Sequence, residues 1–488
     1  MHNYRYAAID QGTTSTRVAV FNDSAEISNC HSAMNIGHRQ ITPQSGWVEQ
    51  DPEEILANII KCLDSCSAAG AAIDAIGICH QGESIVAWNA QTGKPIYNAI
   101  IWQDMRTDES LSKMRQTELE AKVKAKTGLP LDPYFSASKM GWIMENVAVA
   151  KPLAQAGKLR IGTMDSFFLD RLCANFYTDY NSASRTSLFN IHTLEWDVEL
   201  CEMFGVPIHC LAEIRDSIGD FGAVLLAGKS IPITASLVDQ FAGIYGHGCT
   251  QKGAAKVTLG TGAFIQSLTG SDIGDAGNSG LLPTLCWKFP GEKPVFGLDG
   301  GVYNAASAVN WARSIGLFSD YDELQDFSAQ SAISRGLAFV PALSGLGCPY
   351  WDRSAAGLWA GLSLEINRKD MLQSLLEGIA VRTAEVIEVM DSLSPLGDAV
   401  HVDGGLAANS YFKQFLADVL GKRILTPLNQ EVTALGTAML ARKGLGVKGE
   451  VSLTQAIDVI EPRAVNRQKI LEKYRDIIAR SRGLRGDN

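Results

Sequence analysis

The apolar run Ala7-Ala8-Ile9 breaks into Asp10, Gln11 and Gly12, passes through the hydroxyl series Thr13 to Thr16, and resumes beyond Arg17 as Val18 to Phe21. This alternation predicts a hairpin with a polar tip. The same theme returns at Lys256–Leu268, where two apolar stretches flank Gly260-Thr261-Gly262. A weak internal repeat of this kind predicts two similar domains, each contributing one hairpin to a cleft between them. Between the hairpins, Asp51 is placed to cap a helix opened by Pro52, Glu53 and Glu54, with Ile55, Ile59, Ile60 and Leu63 on one face. Strands are expected at Ala75–Cys79, ending in His80-Gln81-Gly82-Glu83, and at Ile231–Val238, ending at Asp239. Asp370 is expected to cap a long amphipathic helix through Met390, and a last helix runs from Asn466 to Arg482 with its basic side in solvent.

Composition narrows the classes. The chain has 488 residues, 46% apolar and 20% charged, as in an ordinary multidomain globular enzyme. A net charge of −10 gives no general attraction to nucleic acid or anionic lipid, so an anionic ligand needs local positive charge. No leader-like apolar segment precedes the first strand and no apolar window reaches membrane-spanning length, which predicts a cytoplasmic protein with no membrane insertion. Ten scattered cysteines without a C-x-x-C pair read as free thiols, and neither they nor the eight dispersed histidines suggest a structural metal.

The hairpin tips carry the first candidate chemistry. Backbone N–H groups around a glycine approach an anion closely, neighbouring hydroxyls add donors, and an aspartate holds a hydrated cation against a phosphate. At the strand ends, Glu83 is either a turn carboxylate or an acceptor for substrate hydroxyls. Asp239 is either a helix cap or a base for a hydroxyl nucleophile. Trp102 and Tyr134 suit either core packing or the carbon face of a polyol. The hydroxyl-rich stretch Tyr177–Thr186 is expected to be a surface loop. In His401–Ser410, the pair Gly404-Gly405 admits a flat ligand, while Asn409 bonds a nucleotide edge or caps a helix.

With these stretches in order, the chain resembles the FGGY carbohydrate kinase family of the actin-like ATPase superfamily. The resemblance rests on DQGTTSTR from Asp10, GWVEQDPEEI from Gly46, DPYFSASK from Asp132, TDYNSASRTSLFNIHTLEWD from Thr178, LGTGAF from Leu259 and HVDGGLAANSYF from His401. It implies an α/β fold of two RNase-H-like domains, 1–246 and 247–488, closing on ATP-Mg²⁺ and a polyhydroxy substrate. It assigns Asp10 to the metal, and Thr13, Thr14, Ser15, Arg17 and Thr261 to phosphates. Gly405, Asn409, Ala306 and Asn310 fall at nucleotide positions. Gly82, Glu83, Trp102, Tyr134, Asp239, Gln240 and Phe264 fall at the substrate site, with Asp239 as base. The resemblance leaves room for a homo-oligomer, dimer or tetramer.

Three departures stand out. Family members acting on glycerol carry a substrate-binding arginine where this chain has Gly82, and losing that side chain is expected to open a volume. The resemblance makes glycerol, giving glycerol 3-phosphate, the first expectation, and Gly82 makes a longer polyol or ketose such as erythritol, threitol or a pentitol or pentulose the alternative. A silent sugar-sensing relative on the same fold is a third reading. A glycine and a glutamine at nucleotide positions are replaced by Ala306 and Asn310. Ala227-Gly228-Lys229-Ser230 is shorter than the loop through which some members bind a sugar bisphosphate, which argues against that regulation.

Overall fold

The computed structural model describes residues 4–22, 30–70, 72–274, 276–277, 279–327, 330–428, 431–448 and 457–486. The chain divides into two compact units, Met1–Gly248 with Thr284–Phe296 and Glu431–Gln455, and Cys249–Pro283 with Gly297–Gln430 and Ala456–Asn488.

The first unit is built on a six-stranded sheet in the order Ala223–Leu226, Lys229–Val238, Ala75–His80, Arg5–Gln11, Ser15–Asn22, Cys30–Gly37. The three central strands are parallel, and Arg5–Gln11 returns antiparallel as Ser15–Asn22, with Asp10 opposite Arg17 and Cys79. Alternation along Arg5–Gln11 sends Ala7 and Ile9 to one face and Tyr6 and Ala8 to the other. Both sets are fully buried because helices cover both faces. One cover is the helix Pro52–Ala68, capped by Asp51, whose side chain accepts from Glu53 N at 2.9 Å. Ile55, Ile59 and Leu63 face the sheet as expected, but Ile60 is 44% exposed. Five residues on from Ile55 at about 100° each, it points well away from the buried stripe. The opposite cover, Val432–Gly444, comes from near the end of the chain.

A smaller sheet in the same unit orders Glu49–Gln50, Ala99–Ile100, Ile85–Asn89 and Leu159–Thr163. With the helix Ser136–Asn146 it encloses a separate apolar cluster. This part carries Glu83, Trp102 and Tyr134.

The second unit repeats the strand plan. Ala255–Leu259 and Ala263–Gly270 form its hairpin, Ala399–Asp403 and Arg423–Pro427 follow in parallel, and Ile457–Ile460 closes that edge. Its long helix is Arg368–Leu393, and its N-cap is Asn367, not Asp370. Asp370 instead accepts from Asn367 N as the third helical residue of a capping box, so the helix starts one turn earlier than expected. The last helix, Arg467–Ser481, is capped by Asn466. Among the described residues nine cysteines form no disulfide, and eight of the nine are buried. Among the described residues, no helix is long and apolar enough to cross a membrane.

Candidate active site

The first hairpin closes tightly, with Gly12 N donating to Ser15 O at 3.0 Å. A Cβ on Gly12 would meet only Ser15 O, at 3.6 Å, so the backbone there is open to a ligand. Thr13 is the best-anchored residue of the tip. Its carbonyl accepts from Gln50 Nε2 at 2.6 Å and lies 3.1 Å from His38 Nε2, and its hydroxyl accepts from Trp102 Nε1 at 3.0 Å. Thr14 is exposed and Ser15 half-buried. Asp10 is half-buried, and the protein packed around it pushes its carboxyl up to about 6 against the pull of a Cys79 thiol at 3.5 Å. Arg17 pairs with Glu431 at 2.7 Å, while its buried Nε has no partner. An enclosed carboxylate, an orphaned guanidinium N–H and an open glycine suit a phosphate with its counter-cation. Among the described residues no cluster of three or more His, Cys, Asp or Glu could bind a metal by itself. A cation here would lean on phosphate oxygens, as magnesium commonly does.

The second hairpin shares this openness. Thr261 is exposed, and a Cβ on Gly260 would have no neighbour nearer than 3.9 Å. The start of the helix Ala306–Ser314 fixes the tip, with Ala306 N donating to Gly260 O at 3.0 Å and Ser307 N to Thr261 O at 3.1 Å. Ala306 thus acts through its backbone, and Asn310 is exposed, its Oδ1 accepting from Tyr321 at 2.9 Å. Gly404 has φ +92°, and a Cβ there would fall 2.5 Å from Leu259 O, at the foot of the hairpin. Only glycine fits that approach. Gly405 beside it is exposed, and nothing lies within 4 Å of where its Cβ would be. Asn409, left open between two roles by sequence, is the N-cap of Ser410–Leu420: Oδ1 accepts from Phe412 N and Nδ2 donates to Leu324 O, both at 2.8 Å.

Glu83 and Asp239 lie just past the carboxyl ends of two neighbouring parallel strands of the first unit, the edge where α/β sheets bind ligands. Asp239 directly follows Lys229–Val238 and is half-buried. It is the first residue of the helix Asp239–Gly246, not its N-cap, and its Oδ1 accepts from Gln240 N at 2.6 Å. The Oε1 of Gln240 is buried without a partner. Glu83 is buried and has φ +59°. Trp102 and Tyr134 pack edge to face with centroids 5.7 Å apart. Phe264, on Ala263–Gly270 of the second unit, is half-buried.

Two expectations change. The Cβ position of Gly82 is not open: a Cβ there would lie 2.8 Å from Val238 Cγ1 and 3.3 Å from Cγ2, so a branched side chain occupies it. The stretch from Thr178 to Ser187 is not a surface loop but is buried throughout except at Tyr180. Its hydroxyls serve an internal polar network. Asp179 accepts from Ser182 N at 2.7 Å, Asn181 N at 3.1 Å and Ser217 Oγ at 2.6 Å, and burial holds its carboxyl up at about 6.

Sequence reasoning passed over Arg185 and Lys139. Lys139 is fully buried, its Nζ donating to Pro133 O, Tyr134 O and Phe135 O at 2.7–2.9 Å, and burial lowers its ammonium to about 7. It thereby fixes the backbone that presents Tyr134. The signal available was a lysine among apolar residues at the start of a helix.

Residues 5–246 match the N-terminal domain, and residues 255–444 the C-terminal domain, of the FGGY family of carbohydrate kinases. Curated relatives include a glycerol kinase of Geobacter sp. strain M21, 40% identical over 90% of each chain. Another is a glycerol kinase of Halothermothrix orenii, 39% identical over 94% of this chain and 93% of that one. The solved glycerol kinase of Plasmodium falciparum with ADP superposes with a TM-score of 0.91 at 30% identity, covering 98% of each chain. A gluconate kinase of Lactobacillus acidophilus, at 21% identity and a TM-score of 0.86, shares the fold over 98% of each chain.

Proposed function

Because this chain belongs to the FGGY family of carbohydrate kinases, we propose that it transfers the γ-phosphoryl group of ATP to a primary hydroxyl of glycerol, giving glycerol 3-phosphate. The observation that carries this reading is the acceptor cluster itself. Asp239, Gln240 with its orphaned Oε1, and the buried Glu83 stand at neighbouring strand ends of one sheet. Acceptor groups at the ends of two paired strands suit a ligand made of hydroxyls. The relatives named glycerol kinase support the same acceptor.

Asp239 takes the proton of the attacking hydroxyl, while Glu83, Tyr134 and Gln240 hold the others and Trp102 covers the carbon chain. Thr13, Thr14, Ser15 and Arg17 in the first unit, and Thr261 in the second, bind phosphate oxygens. Gly405 and the Ala306–Asn310 helix turn face the nucleoside. Asp10 would hold a magnesium ion, which when bound would supply neutralisation of phosphate charge. Positioning and charge neutralisation supply most of the rate, and the base adds ~10²–10⁴-fold. The free, mostly buried thiols support a reducing, cytoplasmic setting.

With Val238 packed against Gly82, the position next to that glycine is occupied, which favours glycerol over a longer polyol. ADP release with glycerol, erythritol, threitol and pentitols tests this. The expected result is the highest kcat/KM for glycerol. A preference for a four- or five-carbon polyol overturns the acceptor, and no ADP release with any of them overturns the kinase reading in favour of a sugar sensor.

A further inference from the structure

Glu83 is held by a residue 102 positions away. Arg185 Nε donates to Glu83 Oε1 at 2.6 Å, and both side chains are under 5% exposed. Arg185 Nη1 donates to Thr284 Oγ1 at 3.2 Å, and the guanidinium carbon lies 5.8 and 5.5 Å from the ring centres of Tyr134 and Phe135. One cation thus touches the acceptor carboxylate and the aromatic beside it. Glu83 also occupies a left-handed backbone conformation that residues with a side chain seldom adopt, and Ser136 Oγ donates to its carbonyl at 3.0 Å. Such a conformation persists only where the surroundings enforce it.

The segment that delivers Arg185 reaches other parts of the acceptor side as well. It is the helical turn Tyr180–Ser184, capped by Asp179. Ser182 Oγ lies 2.9 Å from His80 Nε2, three residues before Glu83. Asn181 Oδ1 accepts from Val238 N at 3.0 Å, one residue before Asp239. Thr186 O accepts from Ala137 N at 2.7 Å, three residues after Tyr134.

A buried ion pair is a poor source of stability, because desolvating two charges consumes most of their attraction. Its value here lies in geometry. We propose that Arg185 is a positioning residue for the acceptor: it holds the Glu83 carboxylate aimed, so that Glu83 binds polyol hydroxyls without reorganising. This rests on the reading of Glu83 as an acceptor-binding group.

A double-mutant cycle of Glu83→Gln and Arg185→Met in the full chain tests it, with kcat/KM for glycerol and KM for ATP measured on each variant. Arg185→Met is expected to lower kcat/KM for glycerol about tenfold or more while KM for ATP stays within about twofold. The double variant should lose no more than Glu83→Gln alone, and Arg185→Lys should recover part of the loss. Additive losses, parallel deterioration toward glycerol and ATP, or wild-type behaviour of Arg185→Met would each overturn the proposal. If Arg185→Met does not fold, Arg185→Gln goes through the same cycle with the same criteria. Should the unmodified chain prefer another polyol, the cycle is run on that polyol, so failure of the acceptor assignment stays distinct from failure of the positioning role.

Discussion

At the scale of single residues, Asp239 separates shape from chemistry. Its Oδ1 accepts from Gln240 N at 2.6 Å, a bond that an asparagine oxygen also makes. Asp239→Asn should therefore leave the helix start, the melting temperature and ATP binding nearly unchanged. It removes the proton acceptor, so kcat is expected to fall ~10²–10⁴-fold. Steady-state kinetics beside an ATP-binding titration checks this, and full turnover in the variant would remove Asp239 from the role of base. Residues of this sort were legible from sequence because each sits next to a local signal, a strand running into an acid or a glycine. Arg185, Lys139 and Val238 were not. Each acquires its meaning from a partner distant in the chain or from packing against a glycine, and a lone Arg, Lys or Val in an apolar stretch carries no mark of that.

At the scale of elements, the outcome turned on where polar groups found partners. The Arg368–Leu393 helix shows this twice. Asn367 and Asp370 share the work of capping it, and sequence reading credited only the acid. Further along, Glu377 ties it to two neighbours: its Oε1 accepts from Ala332 N at 2.9 Å and Tyr411 OH at 2.6 Å, and its Oε2 from Ile333 N at 2.9 Å. Burial outweighs these donors and raises the carboxyl to about 7. Glu377→Gln offers one acceptor oxygen where two are used and should cost about 1–3 kcal/mol. The pH dependence follows in sign. The folded state binds an extra proton between the unfolded value near 4.5 and the folded value near 7. The stability this group contributes is thus fully present below the lower value and is lost as pH rises through the upper one. Glu377→Gln lacks that slope. The gap in melting temperature between the two proteins should therefore narrow from pH 5 to pH 8, and a widening gap would show that the carboxylate is the favoured folded form.

At the scale of the whole molecule, the repeat of the hairpin was visible in sequence, whereas the return of Val432–Gly444 to the first unit was not. That helix is ordinary in composition, and its destination is set by close backbone approach. Ala434, Leu435, Ala438 and Met439 share one buried cluster with Tyr6, Ala8, Ala19, Phe21 and Ala75. A Cβ on Gly436 would lie 1.9 Å from Ala242 O, one on Gly77 2.6 Å from Thr437 O, and one on Gly444 2.0 Å from Thr234 O. Thr234 Oγ1 also donates to Ala441 O at 2.7 Å. Such contacts leave no slack for even one added methyl group, so Gly436→Ala should destabilise the first unit by roughly 1–3 kcal/mol. A chain ending at Gly246 should do worse, because one apolar face of its sheet is then bare to water. It is expected to bind a hydrophobic dye and to melt without a cooperative transition. Joining residues 431–448 to it through a flexible linker should restore cooperative unfolding by circular dichroism. A cooperative melt in the shortened chain without that helix would show that the first unit closes its core unaided.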